Sequence, residues 1–86
     1  MKRDDELYLD DIVEACDAIA AFLFRSDEDS FSHNDLLRSA VLQKLTIIGE
    51  AASRTSDNLR DRHPGIPWSR IVAFRNIAVH AYFAID

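Results

Sequence analysis

The stretch Pro67-Trp68-Ser69-Arg70-Ile71-Val72-Ala73-Phe74-Arg75-Asn76-Ile77-Ala78-Val79-His80-Ala81-Tyr82 decides how this chain folds. It predicts a helix over about 67–82. Pro67 suits the first turn, where a missing N–H leaves no bond unmade. Trp68, Ile71/Val72, Val79 and Tyr82 recur at helical spacing and are expected to face a core. Arg75, Asn76, His80 and Tyr82 interrupt that pattern, surrounded by Phe74, Ile77, Ala78, Val79, Ala81 and Phe83. Burying a guanidinium, an amide and an imidazole is unfavourable unless each finds a partner. Either these groups form a structural network, or they line a cleft kept polar for a ligand.

Helix geometry sorts the four. Successive residues turn by about 100°. Arg75 and Tyr82, seven apart, share a line. Asn76 and His80, four apart, share a second line about 100° around from the first. Arg75 and His80 diverge by about 140°, so one helix alone is a poor catalytic surface. Two copies packed across a two-fold axis are expected to present Arg and His from both chains to one groove, and to bury surplus apolar surface.

Upstream, residues 38–62 read as the longest helix. Val41, Leu45, Ile48 and Ala52 form one line, with Leu42 and Gly49 parallel to it. A glycine inside a helix costs about 1 kcal/mol against alanine, and close approach of another helix would justify Gly49. The tail from Ser53 to Arg62 is polar except for Leu59, and His63-Pro64-Gly65 ends it. Residues 5–24 read as the first helix, with Tyr8, Ile12, Ala15/Cys16, Ile19 and Phe22/Leu23 at steps of three and four. Cys16 is expected to be a small core residue. Ala18, Ala20, Ala21 and Phe24 widen the apolar face enough for a second neighbour. Between the two helices, 26–30 is a polar break. Phe31 to Leu37 is expected to form a short helix capped by Ser32, with His33 exposed. The architecture that follows is all-α: one domain over 1–86, an up-and-down bundle of about four helices.

Composition excludes several function classes. With 86 residues, 48% of them apolar, the chain holds one small core and gains from association. A single cysteine rules out an intrachain disulfide and a cysteine-based zinc site. The first residues lack a signal peptide's apolar core, and no apolar run is long enough for a membrane span, so the cytoplasm is the expected compartment. Charge is uneven. Residues 1–43 carry four Lys/Arg and eleven Asp/Glu, whereas 44–86 carry six and four. The acidic half is no general nucleic-acid surface. The second half offers Lys44, Arg54, Arg60, Arg62, Arg70 and Arg75 as a modest basic patch, most of them readable also as solvated helix-face charges.

The spacing Arg75-Asn76-x-x-x-His80-x-Tyr82 resembles the Arg-x4-His-x-Tyr motif of HepT-like proteins in the HEPN superfamily. His63-Pro64-Gly65-Ile66-Pro67-Trp68 and Ile47-Ile48-Gly49-Glu50-Ala51-Ala52 match that group too, and the resemblance covers nearly the whole chain. It implies a HEPN-like bundle and an endoribonuclease that needs neither metal nor other cofactor. Arg75 and His80 would be catalytic, with Asn76 assisting. It further implies a toxin of a type VII-like toxin–antitoxin pair, homodimeric. Its partner would be a minimal nucleotidyltransferase antitoxin that adds adenylate to Tyr82. Family members usually continue past the tyrosine into another helix. Here Phe83-Ala84-Ile85-Asp86 is its run-up, so the bundle is expected to lack that last helix, leaving Phe83 and Ile85 exposed.

The residue chemistry is compatible with this. RNA carries its own nucleophile, the 2′-hydroxyl. Cleavage needs a base for its proton, an acid for the leaving 5′-oxygen and positive charge at the phosphorane. Histidine serves both proton steps near neutral pH. Arginine meets two phosphate oxygens at once. Two other readings stay open: a non-catalytic helical subunit that binds a nucleotidyltransferase and a nucleotide or substrate, and a small dimeric bundle with a buried polar network.

Overall fold

A computed structural model describes residues 3–84, the side chains of 83 and 84 excepted. The helices are α1 (Asp5–Leu23), α2 (Glu28–Ser32), α3 (Asp35–Arg54), α4 (Asp57–Arg62) and α5 (Trp68–Ala84), and no strand occurs among the described residues. The expected all-α bundle is therefore found, with a second short helix added. The expectation of exposed Phe83 and Ile85 falls on side chains outside the described ones.

The three long helices meet through α3, which packs against both α1 and α5. Small residues make this possible, since Gly49, Ala51 and Ala52 are buried on α3 together with Val41. Tyr8 and Ala15 of α1 and Leu59 of α4 complete the buried apolar set. α1 has α3 as its main neighbour, and this narrows its buried stripe. Cys16 lies about 80° around the helix from Tyr8 and is exposed, contrary to the core placement expected of it. Val13, 60% exposed, and Phe24, 81%, lie outside the α1–α3 contact as well.

The helix expected over 38–62 is two helices. The backbone turns extended at Thr55 and Ser56. Thr55 is buried, and its hydroxyl donates to the Ala52 carbonyl at 2.7 Å. Arg60 reaches back to the carbonyls of Ser53 (2.9 Å) and Thr55 (2.7 Å), so it closes the C-terminal end of α3. That guanidinium is engaged in the fold and leaves the candidate basic patch. Ser56 then caps α4, accepting from the Leu59 N–H at 3.1 Å. The same residue is tied to the start of α1. Its N–H and its hydroxyl donate to the two oxygens of Asp5 at 2.8 and 2.6 Å. Replacing Ser56 with alanine removes a cap and half of this clasp. We expect a loss of about 1–2 kcal/mol in urea unfolding, with cooperativity retained.

The short helix also sits elsewhere than expected. Asp27 and Ser30 form a reciprocal cap that starts α2 at Glu28. Ser32 lies in the last turn rather than at the start, its hydroxyl donating to the Glu28 carbonyl. Asn34 is the cap of α3, accepting from the Leu37 N–H at 3.0 Å. At the other end of the chain, Pro67 stands one residue before α5 and its carbonyl accepts the Ile71 N–H. The Trp68 indole N–H donates to the His63 carbonyl at 3.1 Å, folding the 63–67 loop onto the helix start.

Candidate active site

The register of α5 is the one the spacing predicts. Trp68, Ile71, Val72, Arg75, Ala78, Val79 and Tyr82 are half-buried, and this side of the helix meets α3. Asn76 and His80 are exposed on the other side. Arg75 and Tyr82 thus face inward while Asn76 and His80 face out, as the about 140° divergence requires. Within one chain the arrangement does not bring Arg75 and His80 to a common point.

Arg75 crosses α3 at Gly49. A Cβ on Gly49 would lie 2.3 Å from the Arg75 Cβ and 2.5 Å from its Cγ. The close approach expected of Gly49 is therefore an approach of α5, and the residue that occupies the space is the motif arginine. The Arg75 stem runs over the glycine. Its Nη1 donates to Glu50 Oε2 at 3.3 Å, while its Nε is buried without a partner. The side chain as a whole stays 24% exposed.

Glu50 is shared. Its other oxygen, Oε1, accepts from both Nε and Nη2 of Arg54 at 2.8 Å. That hydrogen bond, together with the carboxylate's charge, raises the Arg54 pKa further above its ordinary value. Tyr82, about two turns beyond Arg75, shares a hydrogen bond of 2.7 Å with Ser39 on α3. Sequence reading missed the partners, Glu50 and Ser39. Glu50 carried a signal, as the single charged residue in the apolar run Leu45–Ala52. Ser39 carried none, since its pairing spans 43 residues.

Much of the rest of the outer face of α5 is apolar. Phe74 is 55% and Ile77 65% exposed, with exposed Ala73 and Ala81 near them. Ile77 lies about 60° around the helix from His80, and Arg70 lies about 80° from it, so the imidazole shares its side of the helix with a guanidinium. Among the described residues, no group of three or more His, Cys, Asp or Glu is placed to hold a metal ion. None of the described helices is long and apolar enough to cross a membrane. A cleft of about 410 Å³ between α1 and α3 is bordered by Arg3, Tyr8, Glu50 and Arg54, and not by His80. It touches the site only through Glu50.

Comparison with known proteins gives a family. The family described as "Ribonuclease HepT-like" matches residues 12–86. A protein of Methanocaldococcus jannaschii named "Putative RNase MJ1380" is 39% identical over 99% of this chain and 78% of its own length. Another from Thermococcus cleftensis, named "Probable ribonuclease HepT", is 36% identical over the whole chain and 78% of its own length. A third, "Putative RNase MJ1216" of M. jannaschii, is 33% identical over 99% of the chain and 70% of its own length. No solved structure matches the chain significantly.

Proposed function

The chain belongs to the HepT-like ribonuclease family of the HEPN superfamily, and on that premise we propose that it is a dimeric, metal-independent endoribonuclease. The observation that carries this reading is the split on α5. Arg75 is anchored against α3 with its side chain 24% exposed, while His80 stands in solvent on the opposite side. One copy cannot close both on a single phosphate. A second copy meeting this face would bring two imidazoles and two Asn76 amides to one groove, which each Arg75 would have to reach from the α3 side through the end of its long side chain. Burying Phe74 and Ile77 would drive that contact, because removing apolar area from water contributes about 25 cal/mol per Å².

The chemistry in such a groove is a transesterification. One His80 takes the 2′-hydroxyl proton as the 2′-oxygen attacks phosphorus. The bond to the 5′-oxygen breaks, and the second His80, protonated, delivers a proton to it. Arg75 meets the charge spreading over the non-bridging oxygens. Asn76, one turn below His80, orients it or donates to the phosphate. The products are a 2′,3′-cyclic phosphate and a free 5′-hydroxyl. Purified protein in EDTA and low salt is expected to cut RNA and leave cyclic phosphate ends. Because each arginine–phosphate contact releases counterions, and the net charge of −5 adds no general attraction to RNA, cleavage should fall as salt rises. A folded, dimeric protein that binds RNA or nucleotide but cuts nothing would overturn the enzymatic reading in favour of the binding subunit.

In the same proposal the protein is a cytoplasmic toxin, and a minimal nucleotidyltransferase acts as its antitoxin by adenylylating Tyr82. Support comes from the motif tyrosine lying seven residues after Arg75, on the same line of the helix. Adenylate there adds bulk and negative charge beside the phosphate-binding guanidinium. The Tyr82→Phe protein is expected to stay toxic in the partner's presence and to take up no label from ATP. A Phe variant that still takes up label removes Tyr82 from this role.

A further inference from the structure

Glu50 stands between two arginines of unequal standing. Arg75 belongs to the motif and is three-quarters buried, whereas Arg54 is 60% exposed. The carboxylate gives each of them one oxygen. We propose that Glu50 is the positioning residue of the site. It holds the Arg75 guanidinium at the angle from which it meets a phosphodiester, while Arg54 occupies the second oxygen and keeps the grip on Arg75 to one nitrogen. This rests on the ribonuclease reading above and adds to it a regulator of the phosphate-binding group.

Three observations converge on it. First, the stem of Arg75 is fixed where it passes Gly49, but the end of the side chain has one contact among the described residues. Without Glu50 the buried Nε would be the only polar atom held in place, and held by packing alone. Second, a single contact through Nη1 leaves its other N–H and the two of Nη2 without a protein partner among the described residues, while Nε stays buried. These terminal nitrogens are the pair through which arginine can meet a phosphate by two parallel bonds. A carboxylate gripping both nitrogens would use up the fork. Third, Arg54 places two nitrogens on Oε1 at 2.8 Å, a tighter hold than the 3.3 Å contact of Arg75 on Oε2. The second grip is thereby denied to Arg75. Two guanidiniums against one carboxylate leave a positive site, so the clasp orients Arg75 without cancelling its attraction for phosphate.

A carboxylate that served only as a local negative charge would act with the opposite sign, since its removal would tighten RNA binding. The experiment uses the full chain and its Glu50→Ala, Glu50→Gln, Arg54→Ala and Arg75→Ala variants. It reads single-turnover RNA cleavage and the anisotropy of an all-deoxy oligonucleotide that lacks the 2′-nucleophile. The Glu50→Ala protein is expected to cleave about tenfold more slowly. Glu50→Gln should recover most of the rate, because its amide oxygen still accepts from Nη1. Arg54→Ala should weaken oligonucleotide binding in the wild-type background and have no effect in a Glu50→Ala background. A direct phosphate contact by Arg54 would persist there. In an Arg75→Ala background, Glu50→Ala should change nothing further. Cleavage by the wild type with Glu50→Ala as fast or faster overturns the clasp and leaves the ribonuclease reading standing. If the wild type binds but does not cleave, that reading falls instead, and the clasp is judged by binding. Unchanged or tighter binding by Glu50→Ala overturns it as well.

Discussion

His80→Ala is expected to lower RNA cleavage by between about a hundredfold and ten-thousandfold while changing stability by less than about 0.5 kcal/mol. The two halves of that expectation have separate causes. His80 is exposed on the side of α5 away from α3, so its truncation opens no cavity and leaves no group in the described fold unpaired. The imidazole is also the one side chain of the motif that can exchange a proton near neutral pH. Loss of activity with an unchanged unfolding midpoint therefore assigns it to the chemistry. Asn76→Ala, at an equally exposed position, should produce a smaller loss if the amide only orients the ring. Arg75→Ala is a less clean probe, because it also removes the Glu50 contact and the stem packed over Gly49. If His80→Ala cuts RNA at the wild-type rate, the imidazole has no part in the reaction, and the exposed face of α5 becomes a surface for a partner alone.

The inward and outward lines of α5 were legible because they follow from a 3.6-residue period and from nothing else. Trp68, Ile71, Arg75 and Tyr82 point to one neighbour whatever that neighbour is. Gly49 was legible for a related reason, since the absent side chain signals proximity without naming what approaches. The break at Thr55 and Ser56 was harder to read. Both residues are tolerated inside helices, and the extended backbone there depends on Asp5, some fifty residues earlier, taking the Ser56 N–H and hydroxyl. The start of α2 had a local signal in Asp27 and Ser30, masked by the expectation that Ser32 would be the cap. Cys16 was misplaced because the width of an apolar face in sequence does not say how many neighbours will cover it. Here α3 covers α1 along a narrow strip, and Cys16 lies beside it. The contacts of Arg75 with Glu50 and of Tyr82 with Ser39 join helices whose relative height no periodicity encodes.

Gly49→Ala is expected to destabilise the fold by roughly 2 kcal/mol in urea unfolding and to remove cleavage along with it. The substitution gains about 1 kcal/mol of helix propensity, so a neutral or favourable result is the naive expectation for an interior glycine. The crossing with α5 reverses that sign. The new Cβ would stand 2.3 Å from the Arg75 Cβ, an atom fixed to the backbone of α5 that no rotamer change can move aside. The helix itself must shift, and the shift carries Arg75 away from Glu50 and α5 away from the buried small residues of α3. The cause can be isolated with a second substitution. Arg75→Ala removes the Cγ at 2.5 Å but keeps the Cβ at 2.3 Å, and so should relieve Gly49→Ala only in part. Arg75→Gly removes the obstructing atom and should recover part of the lost stability, despite the cost of about 1 kcal/mol for a second helical glycine. A larger favourable coupling with glycine than with alanine locates the main obstruction at the Arg75 Cβ. It also makes Gly49 the residue that sets how close the motif arginine can come to its carboxylate. Wild-type stability in Gly49→Ala would mean that the two helices stand further apart, and the Arg75–Glu50 contact would then lose its structural basis.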